Sequence, residues 1–164
     1  MMSTFIPDSA IPREELTLAG HNHFVNCLAV LPNGNLVSGG LDHTIKVWDV
    51  SEGSCTLTLT GHTRSVAYLM VLADGRLASG SADGTIKVWD VLAGNCALTL
   101  EGHSDAVTCL TVLADGRLAS ASRDKSVKVW GVLEGHCMST LVGHSDAVRC
   151  LTVLPEGRLV SASD

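Results

Sequence analysis

The amino-acid sequence predicts an all-β fold built from four stacked copies of one four-stranded unit. Three observations predict it. Gly-His recurs at positions 20, 61, 102 and 143 and Trp at 48, 89 and 130, each step being 41 residues. A period of this length marks a stacked-repeat architecture. Within each period, short apolar or alternating runs are separated by Gly- and Asp-containing turn signals, the pattern of strands. Charged residues make up only 17% of the chain, below the usual quarter or so. That suits strands covered on both faces by neighbouring units.

Each unit reads as strands a, b, c and d. Strand a falls at about 24–31, 65–72, 106–113 and 147–154. These runs are almost continuously apolar, as strands buried on both faces are. Strand b follows a turn at Asn33-Gly34, Asp74-Gly75, Asp115-Gly116 and Glu156-Gly157. Asn-Gly and Asp-Gly favour the positive φ of a two-residue hairpin turn; Glu-Gly fits it less well. A second turn, around Asp42, Asp83 and Asp124, leads into strand c, Thr-Ile-Lys-Val-Trp in the best copies. Lys46, Lys87 and Lys128 alternate there with apolar neighbours and read as an exposed or snorkelling face. Strand d precedes each Gly-His, at Glu14–Ala19, Ser54–Thr60, Asn95–Glu101 and His136–Val142. The organisation is therefore a leader, 1–13, and an array, 14–164. The array holds strand d, three full a-b-c-d units, and then a-b.

Gly-His, a Ser-x-x-x-Asp turn and Trp recur in order and in phase. In the best copy these are Gly61-His62, Ser79 to Asp83, and Trp89-Asp90. This pattern resembles the WD-repeat family of β-propellers, from about Glu14 to Asp164. The resemblance implies four blades of a ring around a central channel, in a family that usually closes with seven or eight blades. Stepping by 164 places Ser3–Asp8 on Thr44–Asp49, with Pro7 where Trp stands, and Glu14–Leu18 on a d strand. The two ends are complementary in phase. The expectation is an eight-bladed ring formed by a homodimer, with strand exchange at the junction blades and 1–13 supplying a swapped c strand. The other arrangement makes 1–13 a leader and the chain part of a longer propeller.

The resemblance also implies hydrogen-bonded structural tetrads. These are His21, Ser38, Asp42, Trp48; then His62, Ser79, Asp83, Trp89; then His103, Ser120, Asp124, Trp130. A fourth set keeps His144 and Ser161, with Met1 and Pro7 at the Asp and Trp positions. A Ser-His-Asp set invites a hydrolase reading, which is rejected. The set repeats in successive blades, its members can satisfy one another, and a catalytic triad needs an exposed nucleophile and an oxyanion hole. The chain is read as not an enzyme. His23, His43 and His136 have no metal-ligand spacing, and no Gly-rich segment has a phosphate-loop pattern, so no cofactor and no metal are expected.

Propellers of this family use the face around the channel mouth for peptide segments of partners. The matching positions here are Phe24, Asn26 and Leu41; Ser65, Ala67 and Ala82; Ala106, Thr108 and Arg123; and Ala147, Arg149 and Asp164. Only Phe24, Arg123 and Arg149 have hot-spot chemistry. The expected function is a protein-interaction scaffold that partners itself and peptide segments of other proteins. The alternative is an engineered or evolutionary-intermediate scaffold with no dedicated ligand. Near-identical copies favour the alternative: Ala-Asp-Gly-Arg-Leu-Ala-Ser stands at 73–79 and again at 114–120.

A net charge of −6 argues against a nucleic-acid or anionic-membrane surface. No apolar run is long enough to span a bilayer, and the first residues lack the pattern of a signal peptide. The six cysteines occupy two repeat positions, Cys27, Cys109 and Cys150, and Cys55, Cys96 and Cys137. They read as small buried hydrophobes in the reducing cytoplasm rather than as disulfides or zinc ligands.

Overall fold

The computed structural model describes residues 16–164. It has fourteen strands: β1 Val25–Val30, β2 Leu36–Gly40, β3 Ile45–Asp49, β4 Ser54–Leu59, β5 Val66–Val71, β6 Leu77–Ser81, β7 Ile86–Asp90, β8 Asn95–Leu100, β9 Val107–Val112, β10 Leu118–Ser122, β11 Val127–Gly131, β12 His136–Leu141, β13 Val148–Val153 and β14 Leu159–Ser163. They form three four-stranded antiparallel sheets, β1-β2-β3-β4, β5-β6-β7-β8 and β9-β10-β11-β12, and a two-stranded sheet, β13-β14. Each sheet is one blade. Successive blades touch through their first strands, β1 to β5, β5 to β9 and β9 to β13, so the a strands line the inside of the arc.

The core lies between blades. Blade 1 presents Leu31, Val37, Ile45, Val47 and Leu59 to Val66, Leu69, Leu77 and Trp89 of blade 2. The same positions meet between blades 2 and 3, where Ile86, Val88 and Leu100 face Val107, Leu110, Leu118 and Trp130. Strand b makes the close approach possible. A Cβ on Gly39 would stand 2.6 Å from Val66 Cγ1, and one on Gly80 2.6 Å from Val107 Cγ1. Blade 3 carries Ala121 at this position, fully buried.

Three expectations are corrected. The a–b connection is not a two-residue hairpin. The Gly34 amide donates to the Leu31 carbonyl and the Leu31 amide to the Asn35 carbonyl, with Gly34 at φ 89°. This is a three-residue loop, a turn followed by a left-handed residue. Second, Leu16–Ala19 of the expected d strand Glu14–Ala19 joins no ladder. A d strand is held by the c strand of its own sheet, and none lies beside this segment among the described residues. The proposed c strand within 1–13 lies outside the described residues. Third, only Cys109 is buried: Cys27 and Cys137 are half-buried, and Cys55, Cys96 and Cys150 are exposed. Cys55 and Cys96 sit on outer d strands. Cys150 is at the repeat position of Cys109 but lies on the last blade, which has no following neighbour among the described residues.

The lysines of strand c are neither bare nor buried. Lys46, Lys87 and Lys128 donate to Thr58, Thr99 and Thr140 of the paired d strand at 2.9–3.0 Å.

The b–c turn contains a position that must be left-handed. Blade 2 fills it with Gly84 at φ 81°, but blades 1 and 3 hold His43 at φ 66° and Lys125 at φ 71°. A side chain there costs on the order of 1 kcal/mol relative to glycine. His43→Gly is therefore expected to stabilise the chain by about 1 kcal/mol, read as a higher urea midpoint at unchanged slope. An unchanged or lower midpoint would contradict the strain.

Candidate functional site

Each complete blade holds one buried chain of hydrogen bonds joining its strands. In blade 2, Trp89 Nε1–H donates to Ser79 Oγ at 2.8 Å. Ser79 Oγ lies 2.7 Å from His62 Nε2, and His62 Nδ1 lies 2.9 Å from Asp83 Oδ2. With the imidazole proton on Nδ1, every group is satisfied: the indole donates to Ser, Ser to His, and His to Asp. Blade 1 repeats this with Trp48 to Ser38 at 2.7 Å, Ser38 to His21 at 2.6 Å and His21 to Asp42 at 2.9 Å. In blade 3 the distances are 2.7 Å for Trp130 to Ser120, 2.7 Å for Ser120 to His103 and 2.8 Å for His103 to Asp124.

The aspartate gathers more than the sequence reading assigned to it. In blade 2 it also accepts the Thr63 amide at 2.9 Å, the Thr85 amide at 2.9 Å and the Thr85 hydroxyl at 2.7 Å. Thr44 and Ser126 donate in the same way to Asp42 and Asp124, at 2.8 and 2.6 Å. These three residues were missed. The available signal was a Ser or Thr two residues after every turn Asp, the spacing of a local side chain-to-backbone turn.

These bonds set the charges. Burial alone would raise the Asp83 carboxyl. The bonds from Thr85, the Thr63 amide and His62 outweigh it and hold the group well below the usual carboxylate range. Asp124 is likewise held at about 2, against the burial that would raise it. His62 and His103 go the other way. Burial pushes each imidazole below its ordinary value of 6.5, and the facing aspartate only partly offsets this.

The Ser-His-Asp connectivity matches that of a hydrolase triad, but its surroundings do not. Ser79 and Ser120 have no exposed surface. The lone pair a nucleophile would use is taken by the indole N–H. Among the described residues no cluster of three or more His, Cys, Asp and Glu side chains could hold a metal ion.

The rim positions come together in pairs. The amides of Leu41, Ala82, Arg123 and Asp164 donate to the carbonyls of Phe24, Ser65, Ala106 and Ala147 at 2.8–3.2 Å, so each pair stands side by side at one end of a blade. Two rim residues turn towards the next blade instead of outwards. Asn26 Nδ2 donates to Ser65 Oγ at 2.9 Å and to the Val66 carbonyl at 3.0 Å, and Thr108 Oγ1 donates to the Val148 carbonyl at 2.6 Å. Ala67, at their repeat position, has no polar group to do this. Arg149 is held by Asp164, with Nε to Oδ2 at 2.8 Å. Phe24 is exposed, 5.1 Å from the His23 ring.

The family described as WD domain, G-beta repeat matches residues 13–49, 53–90, 94–131 and 135–164. The chain belongs to the WD-repeat family. Residues of this WD-repeat chain are 58% identical over 38 positions to the small ribosomal subunit protein RACK1 of Glycine max, covering 23% of this chain and 12% of that protein. They are 43% identical over 49 positions to cell division control protein 4 of Saccharomyces cerevisiae, covering 30% and 6%. The crystal structure of the WD40 β-propeller domain of Doa1 superposes with a TM-score of 0.81 at 28% identity, over 89% of this chain and 50% of that one. The chain thus matches about half of the Doa1 chain and about a tenth or less of these curated relatives.

Removing one aspartate leaves four donors in its blade without their acceptor. Asp83→Ala is expected to cost about 1–3 kcal/mol, read as a lower urea midpoint; an unchanged midpoint would contradict the geometry. The pH dependence has a fixed sign. Folded carboxyls held below their ordinary 3.8 contribute stability that is present above about pH 4 and lost as the pH falls towards 2. Imidazoles held below 6.5 mean that below pH 6.5 the unfolded chain takes up protons that the folded one refuses. Stability should therefore begin to fall just below pH 6.5 and fall further below pH 4. Denaturation curves between pH 7.5 and 3 test this, and a midpoint that rises on acidification to pH 5 would contradict it.

Proposed function

We propose that this WD-repeat chain is a non-enzymatic protein-interaction scaffold whose first partner is a second copy of itself, two copies closing an eight-bladed ring. The observation that carries this reading is the state of the two end faces. Val25 and Leu28 on blade 1 are 48% and 61% exposed, whereas Val66, Val107 and Val148 are at 0% and Leu69, Leu110 and Leu151 at 9% or less. At the other end Val160 is 41% exposed, against 0% for Val37, Ala78 and Ala119. These are the two faces that meet at every internal junction. Each large apolar side chain taken from water is worth roughly 1.5–3 kcal/mol, so stacking one end on the other repeats a contact already made three times in the chain. A two-fold axis gives two such junctions and closes the assembly.

The segment before Gly20 supports strand exchange. Leu57 and Leu98, on d strands, lie against Gly94 and Gly135 of the next blade, 3.5 and 3.2 Å from the Cβ positions. Leu16 lies against Gly53 in the same way, at 2.9 Å. Leu16 thus sits against blade 1 where the d strand of a preceding blade would stand. That blade would be completed by β13 and β14 of the partner.

The rim is where other proteins' peptides would bind. A specific observation favours the second reading, a scaffold with no dedicated ligand. Asn26 and Thr108 serve the neighbouring blade and Arg149 is paired, leaving Phe24 and Arg123 as the rim's anchors. The ribosomal role in the name of RACK1 is not carried over, because that alignment covers 38 residues and 12% of that protein. Six unpaired cysteines support a reducing, cytoplasmic setting.

Light scattering after size exclusion is expected to give twice the chain mass of 17.2 kDa. Leu28→Asp and Val160→Asp, one on each end face, are each expected to return it to a single chain mass. A wild-type chain of single mass at every concentration tested would overturn the ring.

A further inference from the structure

The c–d turns of the three complete blades are not alike. In blade 1, Asp49 Oδ1 accepts the Ser51 amide at 2.9 Å, the Ser51 hydroxyl at 2.6 Å and the Glu52 amide at 3.1 Å. Blade 2 has Leu92 at the repeat position of Ser51. Asp90 there keeps the Ala93 amide, at 2.9 Å, and among the described residues no side chain donates to it. Leu92 itself is 98% exposed. Leu in place of Ser thus leaves a carboxylate oxygen uncommitted and stands an apolar side chain near it. Blade 3 has the leucine, Leu133, but Gly131 in place of the aspartate. Among the three complete blades, blade 2 alone combines the two.

Asp90 and Leu92 line a cavity of about 360 Å³ at the junction of blades 1 and 2. Its apolar lining is Leu31 and Pro32 from blade 1 with Val91 and Leu92 from blade 2. Pro32 replaces the alanine, Ala73 or Ala114, of the next two blades. The other polar groups of the lining are engaged. Asn33 Oδ1 accepts the Asn35 amide at 3.1 Å, and Arg76 Nε donates to Asp74 Oδ2 at 2.7 Å. The Arg76 and Asp74 charges cancel, so the net charge of the lining is that of Asp90. The cavity lies at the a–b and c–d turns, the strand ends opposite to the rim. Both of its blades are four-stranded, so the site is the same in a single chain and in a ring.

We propose that this cavity docks an extended segment of a partner polypeptide, which sets a large apolar side chain against Leu31, Pro32 and Val91 and an adjacent Lys or Arg on Asp90. The volume is near the lower end of ligand pockets, roughly 300–1,000 Å³, and suits a side chain rather than a domain. An uncompensated carboxylate beside an apolar wall selects a cation that brings its own apolar stem. Leu92 selects a chain over a small molecule. Its side chain stands in water almost entirely, and only an occupant that runs on past the cavity covers it. This adds a second docking face to the scaffold and rests neither on the rim nor on ring closure.

The probe is the peptide acetyl-Gly-Phe-Arg-Gly-amide, titrated at low salt into the full, nitrogen-15-labelled chain. Saturable shifts are expected at the amides of Gly75, Leu92 and Ala93. Replacing the peptide's Phe with Ala should weaken binding at least roughly ten-fold, as truncating an aromatic anchor does. Replacing its Arg with citrulline, a neutral isostere, should weaken it about two- to five-fold, the scale of a partly exposed ion pair. That difference should vanish with Asp90→Asn and shrink as salt is added. Leu92→Ser, which restores the turn of blade 1, should weaken the parent peptide several-fold, and Leu133→Ser should leave it unchanged. Both leucines are exposed, so both variants keep the fold. Phenethylammonium has a ring and a cation without a chain and should bind far more weakly than the peptide; equal binding would make this a small-molecule pocket and overturn the polypeptide segment. Absence of saturable shifts at millimolar peptide also overturns the proposal. So do shifts confined to the rim at Phe24 and Arg123, or equal affinities for the arginine and citrulline peptides.

Discussion

The indole of strand c is the group on which the rest of a blade depends. It is the largest side chain between two sheets, and Trp89 and Trp130 are about 1% exposed. Its ring fills the space that the preceding blade leaves between its c and d strands. Its N–H lies deep in that space and needs an acceptor, since an unpaired buried donor is costly. Ser supplies the acceptor and must then place its own proton, on His; His places its second proton on Asp. A packing requirement thus becomes a chain of four polar groups ending near the surface. There the aspartate can draw on two backbone amides and a hydroxyl. Among the described residues no buried side-chain polar atom is left without a partner.

The same chain explains why a Ser-His-Asp arrangement can be inert. A hydrolase triad leaves its serine oxygen free to attack and provides donors for the charge that develops. Here the oxygen is committed on both sides, to an indole donor and an imidazole acceptor, inside a contact between two sheets. Burial lowers the proton affinity of the His62 and His103 imidazoles, and the donors around Asp83 and Asp124 favour their ionised carboxylates. Each group is fixed in the form that makes the static network complete.

Much of this was legible in the sequence because the repeat presents the same evidence several times. The 41-residue step located strands a and the later d strands to within a residue or two and put b and c in order between them. The resemblance to WD repeats, not the period, supplied the tetrads at 21, 38, 42 and 48 and their copies, whose members lie within hydrogen-bond distance of one another. What was not legible depends on neighbours in space. Thr44, Thr85 and Ser126 were passed over because Ser and Thr are common in turns, and only the position of the carboxylate gives them a role. The a–b loop was read as a two-residue hairpin because Asn-Gly and Asp-Gly are shared signals of I′ turns and of turns with a left-handed third residue. The cysteines were read as uniformly buried, yet Cys109 and Cys150 share a repeat position and differ in exposure. Burial here is a property of the place in the stack, and sequence phase does not report it. Asn26 and Thr108 were read as rim contacts, but a strand reading could not show that the second residue of strand a faces the neighbouring blade's carbonyl.

A stack of blades differs from a globular domain in how its energy is distributed. Each repeat contacts only its neighbours, so stability is close to a sum of internal terms and junction terms. Four blades in one arc have three junctions. Joining the two ends of two such arcs adds two more, and the apolar faces carrying Leu28 and Val160 are the surfaces that junction would cover. The end blades also differ from each other. Blade 1 keeps its indole, with Trp48 at 2% exposure, because residues 18–20 lie along it and a Cβ on Gly20 would stand 3.0 Å from Trp48 Cη2. Blade 4 has the histidine and serine of its tetrad, His144 and Ser161. Every internal junction sets the trailing face of one blade against the leading face of the next, so the stack has a single polarity throughout.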